Sequence, residues 1–155
     1  MLVKTLATAL AGTLAFIPLL PPFDMGGGLT DENVGGTWRT QPNMTLSLAD
    51  GQMMGYDGCN HFGGKYTIRG RHIIAKDVIS TLMFCQGPLS HPNNKALHQW
   101  FNHPSTAVIA TTPITLTLTV PMGNNKVQKV TFIRTESRHA VQQEFKALNK
   151  AAQYA

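Results

Sequence analysis

The sequence contains little from which a metal or redox centre could be built. It has only two cysteines in 155 residues, and it has no C-x-x-C, H-x-x-x-H or M-x-x-M spacing. Six histidines and seven methionines are present, but without these spacings they do not predict a specific metal site. The chain also has no internal repeat, which argues against solenoid and propeller architectures.

Charged residues are also few: only 14% of the residues are Asp, Glu, Lys or Arg. The 13 basic residues exceed the 8 acidic ones by five, and they are scattered along the chain. A nucleic-acid platform interleaves basic with aromatic residues, and this pattern is missing, so we expect no nucleic-acid partner. The mild positive charge is compatible with a weak preference for anionic envelope polymers or lipid headgroups.

The N-terminus has the pattern of an export signal. Lys4 is followed by an apolar, uncharged run over residues 6–23, which predicts a signal peptide or an N-terminal anchor over residues 1–23. Three prolines within that run disfavour a regular spanning helix. Residues 24–33 are glycine-rich and predict a flexible linker.

The remainder of the chain has the length and the 43% hydrophobic content of one globular domain. Apolar and polar residues alternate with the strand period, most clearly over 44–48 and 114–120. Turns are predicted at Asp50-Gly51, at Gly70 and at Asn124-Asn125. An extended piece is also predicted over 78–84, which would make Met83 a core residue.

Two segments change to the helical period. The first begins near Pro92 and repeats apolar residues through Phe101. The second begins near Ser137 and carries an apolar stripe of Val141, Phe145 and Leu148. This stripe has two interpretations, packing against the domain's own sheet or contact with a partner or membrane surface.

The most informative feature is a pair of short motifs. The run Gly58-Cys59-Asn60-His61-Phe62-Gly63-Gly64-Lys65-Tyr66 is followed by Thr81-Leu82-Met83-Phe84-Cys85. The pair resembles the signature of the META-domain family, the heat-inducible envelope proteins of the HslJ type. The matching positions are Gly58, Cys59, Asn60, Phe62, Gly64, Tyr66, Thr81, Met83 and Cys85. The family pattern often has arginine where this sequence has His61.

The resemblance implies a META domain over residues 34–134, with residues 135–155 as an added amphipathic helix. We predict an α+β fold, namely a curved, mainly antiparallel sheet or small open barrel of about seven short strands with one packed helix and the C-terminal helix. Many relatives are lipoproteins, which need a cysteine directly after the signal. No cysteine precedes Cys59, so we expect an exported protein of the periplasm or cell envelope that is not lipid-anchored.

Cys59 and Cys85 predict a disulfide, because two lone cysteines in an exported domain usually pair. The alternatives are a reactive thiol at Cys59 activated by His61, and a soft-metal site that would favour copper. The glycines and Asn60 are explained best as residues that fix a backbone bend.

These observations predict a non-enzymatic envelope stress or accessory module that binds an unknown envelope protein or polymer. We assign no catalytic residue, metal or cofactor. A small thiol-based enzyme or redox protein using Cys59 and a copper-binding protein are the alternatives, and a peripheral membrane contact is a further candidate interaction.

Overall fold

The computed structural model describes residues 28–153, so the predicted signal segment 1–23 lies outside the described residues. The strands are β1 Gly36–Thr40, β2 Met44–Ala49, β3 Gln52–Tyr56, β4 His61–Arg69, β5 His72–Ser80, β6 Ser105–Thr111, β7 Ile114–Gly123 and β8 Lys126–Ser137. The helices are α1 Asp31–Val34, α2 Pro92–Trp100 and α3 Arg138–Gln153, with a short 3-10 helix at Pro88–Ser90.

The eight strands form a closed antiparallel barrel in chain order. The prediction of an open or curved sheet of about seven strands is therefore wrong. Closure depends on β1 pairing with β8, where Trp38 lies opposite Arg134 and Arg39 opposite Ile133. Because these strands lie almost a hundred residues apart, alternation within each strand could not predict that they pair.

Turn chemistry follows the sequence closely. Asp50, Gly51 and Gly70 have positive φ angles of 50°, 84° and 62°, and they connect β2 with β3 and β4 with β5. Asn124 and Asn125 also have positive φ angles, of 54° and 60°. Glycine and asparagine tolerate this region of backbone space, so the three predicted turns are confirmed.

Inward-facing side chains fill the barrel, as expected for eight strands. Trp38, Tyr66 and Phe132 belong to one buried core. The Trp38 indole is fully buried and donates a 2.8 Å hydrogen bond to the Val34 carbonyl. Trp100 of α2 is also fully buried and donates to the Ile73 carbonyl at 2.9 Å.

The two short helices lie at opposite rims of the barrel. We name the rim that carries the connections 41–43, 57–60, 81–104 and 124–125 the loop rim, and the opposite one the far rim. Helix α2 lies at the loop rim and buries Ala96, Leu97 and Trp100 in the core. Helix α1 precedes β1 at the far rim and buries Val34. The prediction of a flexible linker over 24–33 is therefore wrong where α1 begins, because a Thr30–Asn33 capping box starts this helix.

Helix α3 packs on the outside of the barrel. Val141 and Phe145 are buried with Ala49 of β2, while Asp50 accepts hydrogen bonds from Arg138 at 2.5 Å and from Gln142 at 2.8 Å. These contacts support the packed interpretation of the stripe. Within residues 28–153, no helix is both long and apolar enough to cross a membrane.

Candidate functional site

The first motif forms a tight bend between β3 and β4. The Asp57 carboxylate is fully buried, and one oxygen accepts the backbone N–H groups of Cys59 at 2.8 Å and Asn60 at 2.6 Å. Gly58 has a φ of +98°, and a Cβ added there would lie 2.8 Å from the Pro42 carbonyl oxygen. Glycine is therefore needed at position 58 for both conformation and space.

Asn60 joins the two motifs through its side chain. Its amide oxygen accepts the Thr81 hydroxyl at 2.9 Å and the Met83 N–H at 2.6 Å, and its amide nitrogen donates to the Met83 carbonyl at 3.0 Å. An asparagine side chain supplies both an acceptor and donors, whereas an ionised aspartate has only acceptors. Asn60 thus holds the segment after β5 in a defined position.

The Cys59–Cys85 disulfide is present in the structure and fixes the same segment at its other end. The Cα atoms of the two residues lie 5.8 Å apart, within the ordinary range for a disulfide. The hydrogen bonds of Asn60 and the disulfide together hold residues 81–85 at both ends.

Between these attachment points the chain exposes three consecutive large apolar side chains. Leu82 is 95% exposed, Met83 62% and Phe84 80%. We name residues 82–84 the apolar loop. The sequence-based prediction that residues 78–84 form one extended piece with Met83 in the core is wrong, because β5 ends at Ser80 and the segment leaves the barrel.

Gly64 has a packing role on the adjoining strands. A Cβ at this position would lie 2.9 Å from the Lys76 carbonyl oxygen and 3.0 Å from the Val78 Cα. The β4–β5 register shifts between Gly63 and Lys65, so the two backbones approach closely where the bulge forms. Phe62 and Tyr66, the aromatic positions of the motif, are buried in the core.

A hydrogen bond between Asp57 and His98, which sequence reasoning missed, attaches α2 to the bend. The second Asp57 oxygen lies 2.6 Å from His98 Nε2, and the Asn94 amide donates to the Asp57 carbonyl at 2.7 Å. Burial alone would raise the pKa of Asp57, but hydrogen bonds from Asn60, His98 and Cys59 lower it below its ordinary value. The signal available in sequence was the i, i+4 spacing of Asn94 and His98 on one helix face.

The remaining predicted residues do not assemble into a second centre. The His61 ring packs against Tyr56 with centroids 4.8 Å apart, and His91 caps α2 by accepting the Asn93 N–H at 3.0 Å. Among residues 28–153, no group of three or more His, Cys, Asp or Glu is arranged to hold a metal ion.

Leu148 is the part of the α3 stripe that stays accessible, at 47% exposure. It borders a groove of about 300 Å³ between α3 and strands β3 and β4. Met53, Met54, Gly64 and Phe145 also line this groove. Two of the three residues predicted as a partner surface, Val141 and Phe145, are instead buried against the barrel.

The fold and the site together define a small closed barrel that carries a disulfide-anchored apolar loop at one rim. The META domain family model matches residues 26–137, and the chain therefore belongs to the META domain family. The match extends beyond the predicted limits of residues 34 and 134, and it ends just before α3.

Two solved structures match the chain at low sequence identity. One is an NMR structure of a protein that matches at a TM-score of 0.53 with 16% sequence identity, covering 69% of this chain and 96% of that chain. The other is an NMR structure of a protein from Burkholderia xenovorans, with a TM-score of 0.49 and 20% identity over 64% of this chain and 78% of that chain. No curated protein matches the chain.

Proposed function

We propose that this chain is an exported, non-enzymatic binding module of the cell envelope, in a stress or accessory role, and that the apolar loop is its contact surface. The observation that carries this proposal is the combination of high exposure at Leu82 and Phe84 with firm attachment of the loop at both ends.

Exposed apolar clusters reduce solubility, and in monomeric proteins they mark sites of interaction. Leu82, Met83 and Phe84 could each be replaced by polar residues without changing the hydrogen bonds that hold the loop, because Asn60 contacts only the Met83 backbone. The side chains themselves are therefore not needed to hold the loop. A fixed loop also loses little conformational entropy when it binds, which favours affinity.

The geometry favours binding over thiol chemistry at Cys59. Its sulfur is bonded to Cys85, and the residue is only 3% exposed. The reactive form of cysteine is the thiolate, and a sulfur bonded in a disulfide is not a thiolate. The disulfide also supports export, because such bonds persist mainly in oxidising compartments.

Cell fractionation combined with thiol labelling tests the location and the redox state together. The protein should be found outside the cytoplasm, and without reduction it should take up no thiol reagent. Uptake of two equivalents by the exported protein would contradict the disulfide, and a wholly cytoplasmic distribution would contradict export.

Photo-crosslinking in intact cells tests the contact surface. A photoreactive amino acid at Leu82 should give adducts that the same amino acid at Val108 does not give. Val108 is a matched control because it is also a large exposed apolar residue, at 55% exposure, and it belongs to strand β6 and not to the apolar loop. Equal labelling from both positions, or none from Leu82, would remove the apolar loop as the contact surface.

A further inference from the structure

The apolar loop lies on a rim whose connections carry no exposed carboxylate. The four connections of the loop rim contain a single carboxylate, Asp57, which is fully buried and paired with His98. The nearest exposed carboxylate along the chain is Asp77, inside β5. Lys95 on α2 and Lys126 at the start of β8 are both exposed at this rim.

Four exposed acidic residues lie at the opposite end of the molecule. Asp31 and Glu32 belong to α1, Asp50 lies in the β2–β3 turn, and Glu136 ends β8 near Ser137. These elements all lie at the far rim. The far rim is mixed in charge, because Arg69, Arg71 and Arg138 lie there beside these carboxylates. The connections of the loop rim, in contrast, carry exposed apolar side chains and no exposed carboxylate.

The shape of the apolar loop indicates which kind of partner surface the loop rim can contact. Three consecutive exposed side chains on one loop form a convex tip, and Val127, 58% exposed, adds another apolar side chain at the same rim. A convex apolar tip beside lysines is suited to a bilayer interface, where the apolar side chains enter the acyl boundary and the lysines meet anionic headgroups.

We propose, building on the binding function above, that the partner of the apolar loop is an anionic lipid bilayer. Leu82 and Phe84 insert at the headgroup–acyl boundary, and Lys95 and Lys126 lie at the level of the headgroups. This assigns the membrane contact to the loop rim rather than to the stripe of α3, whose Val141 and Phe145 are buried within the molecule.

Vesicle binding of the full protein, purified from the compartment in which the cell places it, tests the proposal. The wild type should bind vesicles that contain phosphatidylglycerol more tightly than vesicles of phosphatidylcholine alone. The double variant Leu82→Ser/Phe84→Ser should bind the anionic vesicles at least about tenfold more weakly, since two apolar side chains no longer leave water. Lys95→Gln should lose about fivefold on anionic vesicles and nothing on neutral ones.

A fluorescence measurement reports insertion directly. Trp38 and Trp100 are fully buried, so their emission should be insensitive to the membrane. The variant Phe84→Trp should emit at longer wavelength in buffer and shift to shorter wavelength when anionic vesicles are added. The matched variant Val108→Trp, at an exposed position of β6 outside the apolar loop, should not shift.

The outcomes separate this proposal from the binding function on which it depends. If the wild type and the double variant bind vesicles equally, another part of the chain binds lipid and the proposal is overturned. If the protein ignores vesicles while Leu82 crosslinks to a protein in cells, the loop binds a protein and only the lipid assignment fails. If neither vesicles nor crosslinked partners are found, both proposals fail.

Discussion

Asn60 explains why the two sequence motifs occur together. The first motif provides the side chain, and the second provides the Thr81 hydroxyl and the Met83 backbone that it contacts. Sequence reasoning could predict a bend at Gly58 and a disulfide from the cysteines, because both depend on local or pairwise chemistry. It could not predict where the Asn60 amide is directed, since its partners lie more than 20 residues away.

Replacing Asn60 by Ala should lower the free energy of unfolding by about 1–3 kcal/mol, because three hydrogen bonds are lost. It should also accelerate hydrogen exchange at the Met83 amide, which donates to Asn60. Chemical denaturation and exchange measured by NMR test these two effects. Asn102→Ala, at an exposed position after α2, is the control and should stay within about 0.5 kcal/mol of the parent. Unchanged Met83 exchange in the Asn60 variant would contradict the assigned role.

The free energy of unfolding should depend on pH through Asp57. Its pKa in the folded chain lies below the ordinary 3.8, so its contribution is full above that value and is lost as the pH falls through the lower folded pKa. At pH 7, Asp57→Asn should cost about 1.5–3 kcal/mol, since hydrogen bonds to a charged acceptor are weakened.

Urea denaturation of the wild type and the Asp57 variant between pH 6 and pH 3 provides the measurement. The difference in unfolding free energy between the two proteins should shrink toward the acid end. His98→Gln is the conservative control, because glutamine can still donate to the carboxylate. A difference that stays constant from pH 6 to pH 3 would show that the charge of Asp57 does not contribute to stability.

At the scale of elements, the sequence predicts strands and long helices better than their ends. Alternation identifies Ile114–Val120 as strand, and the helical period identifies α2, because each segment has one face buried in the core. Helix α1 has only four residues, too few to show a period, and its glycine-rich surroundings indicate a linker instead. The end of β5 at Ser80 was missed because the apolar residues that follow it look like a continuing strand.

Helix α3 should stabilise the barrel through its buried residues. Phe145→Ala is expected to lower the unfolding free energy by about 3–5 kcal/mol, because it leaves a cavity beside Ala49. Leu148→Ala is the matched control on the same stripe, and it should cost less because Leu148 is half exposed. Thermal or urea denaturation of both variants tests this expectation. Equal losses in the two variants would mean that the helix does not pack as described.

At the scale of the whole molecule, the disulfide acts mainly on the unfolded chain. It closes a segment with a sequence separation of 26, which in the chain-entropy model contributes about 3.5 kcal/mol of stability. The double variant Cys59→Ser/Cys85→Ser should therefore unfold at lower urea concentration while keeping the barrel's circular dichroism spectrum. The wild type in a strong reductant should behave like the variant. Identical midpoints for variant and oxidised wild type would contradict this contribution.

The joint between β5 and β6 differs from every other joint of the barrel. Only His72 with Thr106 and Ile73 with Ser105 are paired there, whereas β7 and β8 are paired along most of their length. The wall should therefore part first at this seam during native-state fluctuations, because the fewest ladder hydrogen bonds must break. Trp100 bonds to Ile73 at that position, so the indole would meet water whenever the seam parts. Acrylamide quenching of tryptophan fluorescence would then report the opening of the barrel. Trp100 should be quenched more readily than Trp38, which lies on the opposite wall.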